Sequence, residues 1–340
     1  MGGCWATPPG QQYSAKPECG RPDKNLPRLS LNDTLYEPMS KPIQPESSQI
    51  TPPRRCPLRF FIPARVQEAF TLIELLLVVG TVAVLLAIAL PGLGHARKMG
   101  LQAREFTGAK QLVTAWTAYA NDHRTVVMPG YASRAMVVTG PQTLKVLDDG
   151  GQAVLGVEAQ RYPWRIAPYL DYQLRGLYDD PKVFDRYRGA SDYRYRISLS
   201  PSMGINAEFV GGKADPGLAF TPTSLSRFGR YYLQKIDEAR RPDRLLVFSS
   251  ARGPDYDGGV VTGYFLVDAP NRLTRQWNLP AYVPDSDPET TGYVDPRHFN
   301  KAVTAMVDGH ADAYSLRELD DMTRWANGAG SATWTLRPLQ

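Results

Sequence analysis

The sequence predicts an α+β fold in which one long N-terminal helix packs against a small antiparallel β-sheet. Two observations support this prediction. A continuous apolar stretch covers residues 70 to 90 and is followed by helix-compatible sequence, and short strand-like runs punctuated by Gly, Pro and Asp fill the chain beyond Pro129. Helices and strands that occupy separate parts of a chain are typical of α+β proteins.

Residues 1 to 69 differ in composition from the rest of the chain. They hold 12 of the 29 prolines, and residues 1 to 57 are also rich in Ser, Gln and Gly and show no apolar periodicity. Such a segment does not bury enough apolar surface to form a packed core. We expect it to be a leader, or a disordered extension upstream of the true start codon, that the mature protein lacks.

The charges and cysteines exclude several classes of function. Residues 1 to 69 carry nine basic and six acidic residues, which accounts for +3 of the formal net charge of +5. The remainder is nearly neutral, so nothing predicts a nucleic acid as partner. Because Cys4, Cys19 and Cys56 all lie in the same segment, the remaining chain cannot form a disulfide or a Cys-ligated metal site.

The stretch from Phe70 to Leu90 is apolar apart from Glu74 and two threonines. A helix of this length measures about 30 Å, which matches the hydrocarbon core of a bilayer. We therefore predict a transmembrane helix over 70–90. An amphipathic continuation over 91–128 follows, with Pro91 at a kink and the helix ending near Asn121.

Strand-like runs make up the best-patterned part of the C-terminal region. The candidates are Arg244–Ser249, Val260–Val267, Lys301–Val307 and His310–Leu316. Asp308-Gly309 separates the last two and predicts a two-residue hairpin turn, since Gly tolerates the positive φ that such a turn requires. A short helix over Leu316–Trp325 is predicted to follow.

The hexapeptide from Ala69 to Glu74, Ala-Phe-Thr-Leu-Ile-Glu, resembles the cleavage and methylation signature of type IV prepilins and type II secretion pseudopilins. The resemblance implies a pilin-like fold and a prepilin peptidase that cuts between Ala69 and Phe70 and methylates the new amine. It also implies that Glu74 pairs with the terminal amine of a neighbouring subunit during assembly, and that Pro91 kinks the helix.

Glu74 has a second interpretation. An acidic side chain inside a membrane helix is costly unless it finds a partner, which makes it a functional hypothesis by default. The alternative is that Glu74 lies near the lipid headgroups, where its carboxylate reaches water. The surrounding motif favours the assembly role.

A second motif runs from His298 to Gly309, and His310 follows it directly. It resembles the H-X9-DG signature of a large group of prepilin-like bacterial proteins. His298, Asp308 and His310 are candidate metal ligands, and Asp308 with His310 is a candidate catalytic pair. A hairpin turn explains Asp308-Gly309 without chemistry, so we predict that the motif is structural and that the protein is not an enzyme.

The acidic pairs Asp255/Asp257 and Asp285/Asp287 are candidate Ca²⁺ ligands, as in loops of some pseudopilins, but neither completes a calcium-binding loop. We expect no metal and no cofactor. Solvated turns explain both pairs.

These patterns lead to one expected function and two alternatives. We expect a structural subunit, a pseudopilin or minor pilin, that associates with other pilin-like subunits through its N-terminal helix. Arg59 and Arg65 place the leader in the cytoplasm, so a single span in the inner membrane would carry the 129–340 domain in the periplasm or outside the cell.

The first alternative is a single-pass, membrane-anchored periplasmic protein that binds a ligand such as a glycan through exposed aromatic residues, for example Trp164, Tyr193 and Tyr195. The second is a membrane-anchored hydrolase that uses His298 and Asp308.

Overall fold

The computed structural model describes residues 70–137, 145–214, 220–256, 258–278, 283 and 286–340. The leader, including Ala69 of the expected cleavage site, lies outside the described residues. Asp257 and Asp285 of the two acidic pairs also lie outside them.

One long helix, α1 (Leu72–Asp122), forms the N-terminal part of the described chain and continues through position 91. Its end agrees with the expected position near Asn121. The described side chains from residue 72 to residue 101 are exposed, and burial begins at Glu105. Leu93, which continues the apolar pattern, is 67% exposed, and Leu101, 37% exposed, lines a surface groove with Asp179 and His298.

Short helices and turns follow α1 along the chain. They are α2 (Arg134–Val137), α3 (Gly156–Gln160), α4 (Tyr162–Ile166), α5 (Pro181–Arg188), α6 (Tyr193–Leu199), α7 (Pro222–Phe228) and α8 (Leu316–Leu319). In the described ranges, 3₁₀ segments occupy Ala167–Leu170, Leu174–Leu177, Ile236–Glu238, Pro288–Thr291 and Met322–Arg324. The expected helix over Leu316–Trp325 is thus α8 followed by a separate 3₁₀ turn.

The strands form a small, mostly antiparallel sheet. They are β1 (Met203–Asn206), β2 (Leu246–Ser250), β3 (Arg252–Pro254), β4 (Val260–Thr262), β5 (Leu266–Val267), β6 (Ala302–Met306) and β7 (Ala311–Tyr314). The main sheet has the order β5-β1-β2-β6-β7, and β3 pairs with β4 separately. The pairing of β1 with β5 is parallel, so the sheet is not purely antiparallel as expected.

The expected strand over Val260–Val267 is divided into β4 and β5 at Gly263. This glycine has φ +107°, and a Cβ there would lie 2.5 Å from the carbonyl oxygen of Ser200. The left-handed backbone and the close approach both require glycine. For this reason β4 ends at Thr262, and β5 begins only at Leu266.

Both faces of the main sheet are buried, and α1 covers one of them. Val303 and Ala305 of β6 belong to the apolar cluster that contains Trp116 of α1, whereas Ala302 and Met306 belong to the cluster on the opposite face. A strand buried on both faces reads as a continuous apolar run. This explains why Ala302–Val307 shows no alternation in the sequence.

Candidate functional site

The apolar half of α1 is the first candidate functional feature. Among the described residues, α1 is long and apolar enough to cross a membrane, and its apolar window is not buried against the rest of the chain. Phe70, at the N-terminal side of the helix, is 84% exposed. The domain alone does not cover this surface.

Glu74 forms a capping box with Thr71. The backbone N–H and the hydroxyl of Thr71 donate to Oε2 of Glu74 at 2.9 and 2.8 Å, and the Glu74 N–H donates to the Thr71 hydroxyl at 3.3 Å. Thr-x-x-Glu before an apolar run is the sequence signature of this cap. Glu74 therefore has a local role in starting α1 that the sequence analysis did not consider.

His298 contacts the middle of α1. Its side chain is buried, and its Nε2 forms a hydrogen bond with Oε2 of Glu105. Glu105 is itself buried on the face of α1 that packs against the sheet. The first residue of the motif therefore joins the C-terminal sheet to the long helix.

Arg297, next to His298, lies at the centre of a set of carboxylates. It contacts Oε1 of Glu105, donates from Nη1 to Oδ2 of Asp295 at 3.0 Å, and places Nε 3.8 Å from Oδ2 of Asp179. Its guanidinium also donates to the backbone oxygens of Ser202 and Ala251. We call Glu105, Asp179, Asp295, Arg297 and His298 the helix-anchoring network.

Electrostatic interactions in the helix-anchoring network favour the charged forms of Glu105 and Arg297. Burial alone would raise the pKa of Glu105, but Arg297 and His298 outweigh that effect and hold the pKa below its usual value. Burial alone would lower the pKa of Arg297, whereas Glu105, Asp295 and Asp179 raise it. Asp179 has a raised pKa because burial outweighs the attraction of Arg297.

The chain reverses direction directly after His298. The backbones of His298 and Lys301 exchange two hydrogen bonds, at 3.1 and 2.9 Å, and Phe299 and Asn300 between them have φ +53° and +60°. Two consecutive residues with positive φ are typical of a type I′ hairpin turn. The Phe299 ring lies 5.2 Å, between centroids, from the His95 ring on α1.

Asp308 and Gly309 lie in the hairpin between β6 and β7, as predicted, but the loop has three residues rather than two. Met306 accepts from the Gly309 N–H at 3.0 Å, and its own N–H donates to the His310 carbonyl at 2.9 Å. Gly309 has φ +92°, which fits a type I turn followed by a left-handed glycine. The exposed Asp308 carboxylate accepts from the His310 N–H at 3.1 Å and lies 2.6 Å from its Nδ1.

The motif residues therefore fall into two separate groups. His298 joins the helix-anchoring network, whereas Asp308 and His310 contact each other at the hairpin loop. No catalytic pair of His298 with Asp308 follows from this geometry.

A metal site is an alternative interpretation of Glu105, Asp179 and His298, because one ligand atom from each lies within 4.8 Å of the others. Arg297 contacts Glu105 and lies close to Asp179. A guanidinium in this position neutralises the carboxylates and repels a second cation. We interpret the cluster as an ion network.

Sequence analysis identified His298 but missed Glu105 and Arg297. A signal for Glu105 was present, since it lies seven residues before Leu112 and so on the same face of the helix. A charged residue on an otherwise buried stripe predicts a buried partner. Which residue supplies the partner depends on a contact across nearly 200 positions, and no local pattern shows it.

The aromatic residues proposed for ligand binding are not freely exposed. Trp164 is buried and donates to the carbonyl of Arg194 at 2.9 Å, so the expectation of exposure is wrong for it. Tyr193 is half-buried and donates to Asp148 at 2.8 Å. Tyr195 lies 4.5 Å from the Arg161 guanidinium.

Comparison of the chain with protein-family models, curated proteins and solved structures finds no match. The functional argument therefore rests on the residues themselves.

Proposed function

We propose that the chain is a prepilin-like structural subunit, a pseudopilin or minor pilin of a type II secretion or type IV pilus-like assembly. The observation that carries the proposal is the division of α1 into an exposed apolar half and a half buried against the sheet. Exposed apolar surface of this extent needs a bilayer or other apolar helices to cover it. In a subunit that is first held in the membrane and later packs its helix against other copies, this surface is covered before and after assembly.

The position of Glu74 supports the same proposal. Both contacts from Thr71 fall on Oε2, so within the described part of the chain Oε1 is available to the amine of a neighbouring copy. The capping box fixes the carboxylate beside the start of the helix. The proposed amine of Phe70 is one residue from this cap.

The first test is the N-terminus of the mature protein. We expect protein extracted from membranes to begin at Phe70 with a methylated amine, as read by N-terminal sequencing and mass spectrometry. An intact chain that begins within residues 1 to 60 would contradict processing. Ala69→Arg, which places a bulky charge at the expected cleavage position, should block the cut and serves as the control.

A second test separates capping by Glu74 from pairing with a neighbour. Glu74→Gln keeps a side chain that accepts the capping hydrogen bonds but removes the charge, whereas Thr71→Val removes the capping hydroxyl and keeps the charge. Both variants should remain in the membrane fraction. If Glu74 pairs with an amine, Glu74→Gln loses filament or complex recovery and Thr71→Val largely keeps it; the reverse result would assign Glu74 to capping alone.

A membrane-anchored ligand-binding protein is the second candidate function, and one observation favours it. An open groove of about 560 Å³ is lined by Arg240, Arg337 and Trp334, together with several hydroxyl side chains. Crosslinking separates the two candidates. A cysteine at Leu76, in a chain with Cys4, Cys19 and Cys56 replaced by Ser, should crosslink adjacent subunits of an assembly and should stay monomeric in a protein that only binds a ligand.

A further inference from the structure

The Phe299–Asn300 turn lies beside α1 close to the expected surface of the bilayer. The apolar stretch ends at Leu90, and His95, which the Phe299 ring contacts, follows five residues later. At about 1.5 Å per residue this separation is roughly 7 Å along the helix. The headgroup region on each side of a bilayer has a similar thickness, about 5 to 7 Å.

The backbone of the turn places an aromatic side chain where one is unfavourable. Phe299 has φ +53°, and a bulky residue in the left-handed region is an outlier that costs conformational energy. Phe299 as a whole is nevertheless 44% exposed. Phe299 contacts the His95 ring but belongs to neither apolar core cluster of the described residues.

The anchoring of the turn leaves it little freedom to move away from the helix. His298, directly before Phe299, is buried against Glu105 of α1. Glu105 lies ten residues beyond His95, about 15 Å along the helix. The Phe299 ring therefore points from a fixed base toward the end of α1 that leads into the apolar stretch.

Lys98 of α1 lines the same surface groove as Phe299 and Asn300. Arg97 and Lys98 of α1 and Lys301 of the turn are all exposed. The charge of Lys301 also acts on Glu318 and helps to hold the pKa of that carboxyl below its usual value. Phe is among the apolar residues that interfacial segments bury at the boundary between headgroups and acyl chains, and Lys and Arg interact there with anionic headgroups.

We propose that the Phe299–Asn300 turn is an interfacial anchor, with the Phe299 ring and the charges of Arg97 and Lys98 in the headgroup layer of the bilayer. This inference rests on the proposed membrane insertion of α1. The turn then fixes the height of the domain above the membrane before assembly. The helix-anchoring network holds the sheet at that height because it connects the turn to α1 and to the sheet.

Spin labels on the full-length protein test the depth of the turn. The chain with Cys4, Cys19 and Cys56 replaced by Ser is labelled at Phe299→Cys and reconstituted into phosphatidylethanolamine–phosphatidylglycerol vesicles. Accessibility to oxygen and to a water-soluble nickel complex then reports depth. Leu85→Cys, inside the apolar stretch, marks the hydrocarbon core, and Val126→Cys marks water, because Val126 is 43% exposed and lies beyond the far end of α1.

The expected result is a depth at position 299 between those of positions 85 and 126, with severalfold less nickel access than at 126. A label at 299 as accessible to nickel as the label at 126, with the label at 85 in hydrocarbon, would overturn the anchor and leave the proposed function intact. An aqueous label at 85 would instead contradict membrane insertion itself. Loss of access to both reagents at 299 would assign the turn to a neighbouring subunit and overturn the proposal.

A second measurement tests the contribution of Arg97 and Lys98 and leaves the other residues of the turn unchanged. Replacing phosphatidylglycerol by phosphatidylcholine should make the label at 299 shallower in the parent. Arg97→Gln with Lys98→Gln should remove most of that dependence on lipid charge. An equal response in parent and variant would overturn the role of the basic residues.

Discussion

Glu105 in the middle of α1 and His298 at the start of the H-X9-DG motif form a buried hydrogen bond across 193 positions of sequence. Arg297 contacts the other oxygen of the same carboxylate. The motif therefore fixes the C-terminal sheet to the N-terminal helix. Breaking a buried ion pair by removing one partner leaves an uncompensated buried charge.

We predict that Glu105→Ala lowers the free energy of unfolding by about 3 kcal/mol or more, measured on the full chain in detergent. His298→Ala should lower it by about 1 to 3 kcal/mol, because Arg297 still compensates the charge of Glu105. The double variant should lose clearly less than the sum of the two, because the partners are coupled. Asp185→Asn, at an exposed pair with Arg175, is the control and should cost well under about 1 kcal/mol. Additive losses at Glu105 and His298 would contradict the pairing.

Gly309 offers a test of backbone strain without steric interference. Its φ is +92°, and a Cβ at this position would meet no heavy atom within 4 Å. Gly309→Ala should therefore cost about 1 kcal/mol from the left-handed conformation alone. Gly328 also has open space around it but no positive φ, so Gly328→Ala should be near neutral. Equal melting temperatures for the two variants would argue against the turn assignment.

Local patterns predicted the helix α1, the strand β6 and the hairpin after it. These features depend on neighbouring residues, namely the uninterrupted apolar run from Phe70 and the Asp-Gly turn signal. The three-residue loop was not predicted, because Asp308-Gly309 fits both loop lengths and only the hydrogen bonds of Met306 distinguish them.

The helix-anchoring network could not be predicted in the same way. Glu105, Asp179 and His298 come from distant parts of the chain, and the topology of the sheet brings them together. The sequence pattern also could not predict that Leu93 and Leu101 are exposed. An amphipathic stripe shows that a surface is apolar, but it does not show whether the domain, a membrane or another subunit covers it.

The helix-anchoring network should be indifferent to metal. Because Arg297 already neutralises Glu105, we expect no change in melting temperature when EDTA, Zn²⁺ or Ca²⁺ is added to the full chain. Arg297→Gln removes the competing cation and should make the variant less stable than the parent. A parent that is destabilised by EDTA and restored by Zn²⁺ would assign Glu105, Asp179 and His298 to a metal site instead.

Glu208 predicts a pH dependence of stability. Its side chain is fully buried, and Nζ of Lys213 is 4.0 Å and Nε of Arg272 is 3.5 Å from its oxygens. Burial raises the pKa of Glu208 to about 7, and the two cations only partly oppose this effect.

Because the pKa in the folded state exceeds the ordinary value of 4.5, the folded state binds more protons than the unfolded state between these two values. The contribution of Glu208 to stability is therefore complete below about pH 4.5 and is lost as the pH rises through about 7. The loss should be of the order of 3 kcal/mol at most.

We expect the difference in free energy of unfolding between the parent and Glu208→Gln to change by this amount from pH 4.5 to pH 8, measured by denaturant titration. Glu238→Gln, at a surface pair with Arg230, is the control and should keep the pH profile of the parent. A profile of Glu208→Gln parallel to that of the parent would mean that Glu208 is ionised throughout and held by Lys213 and Arg272.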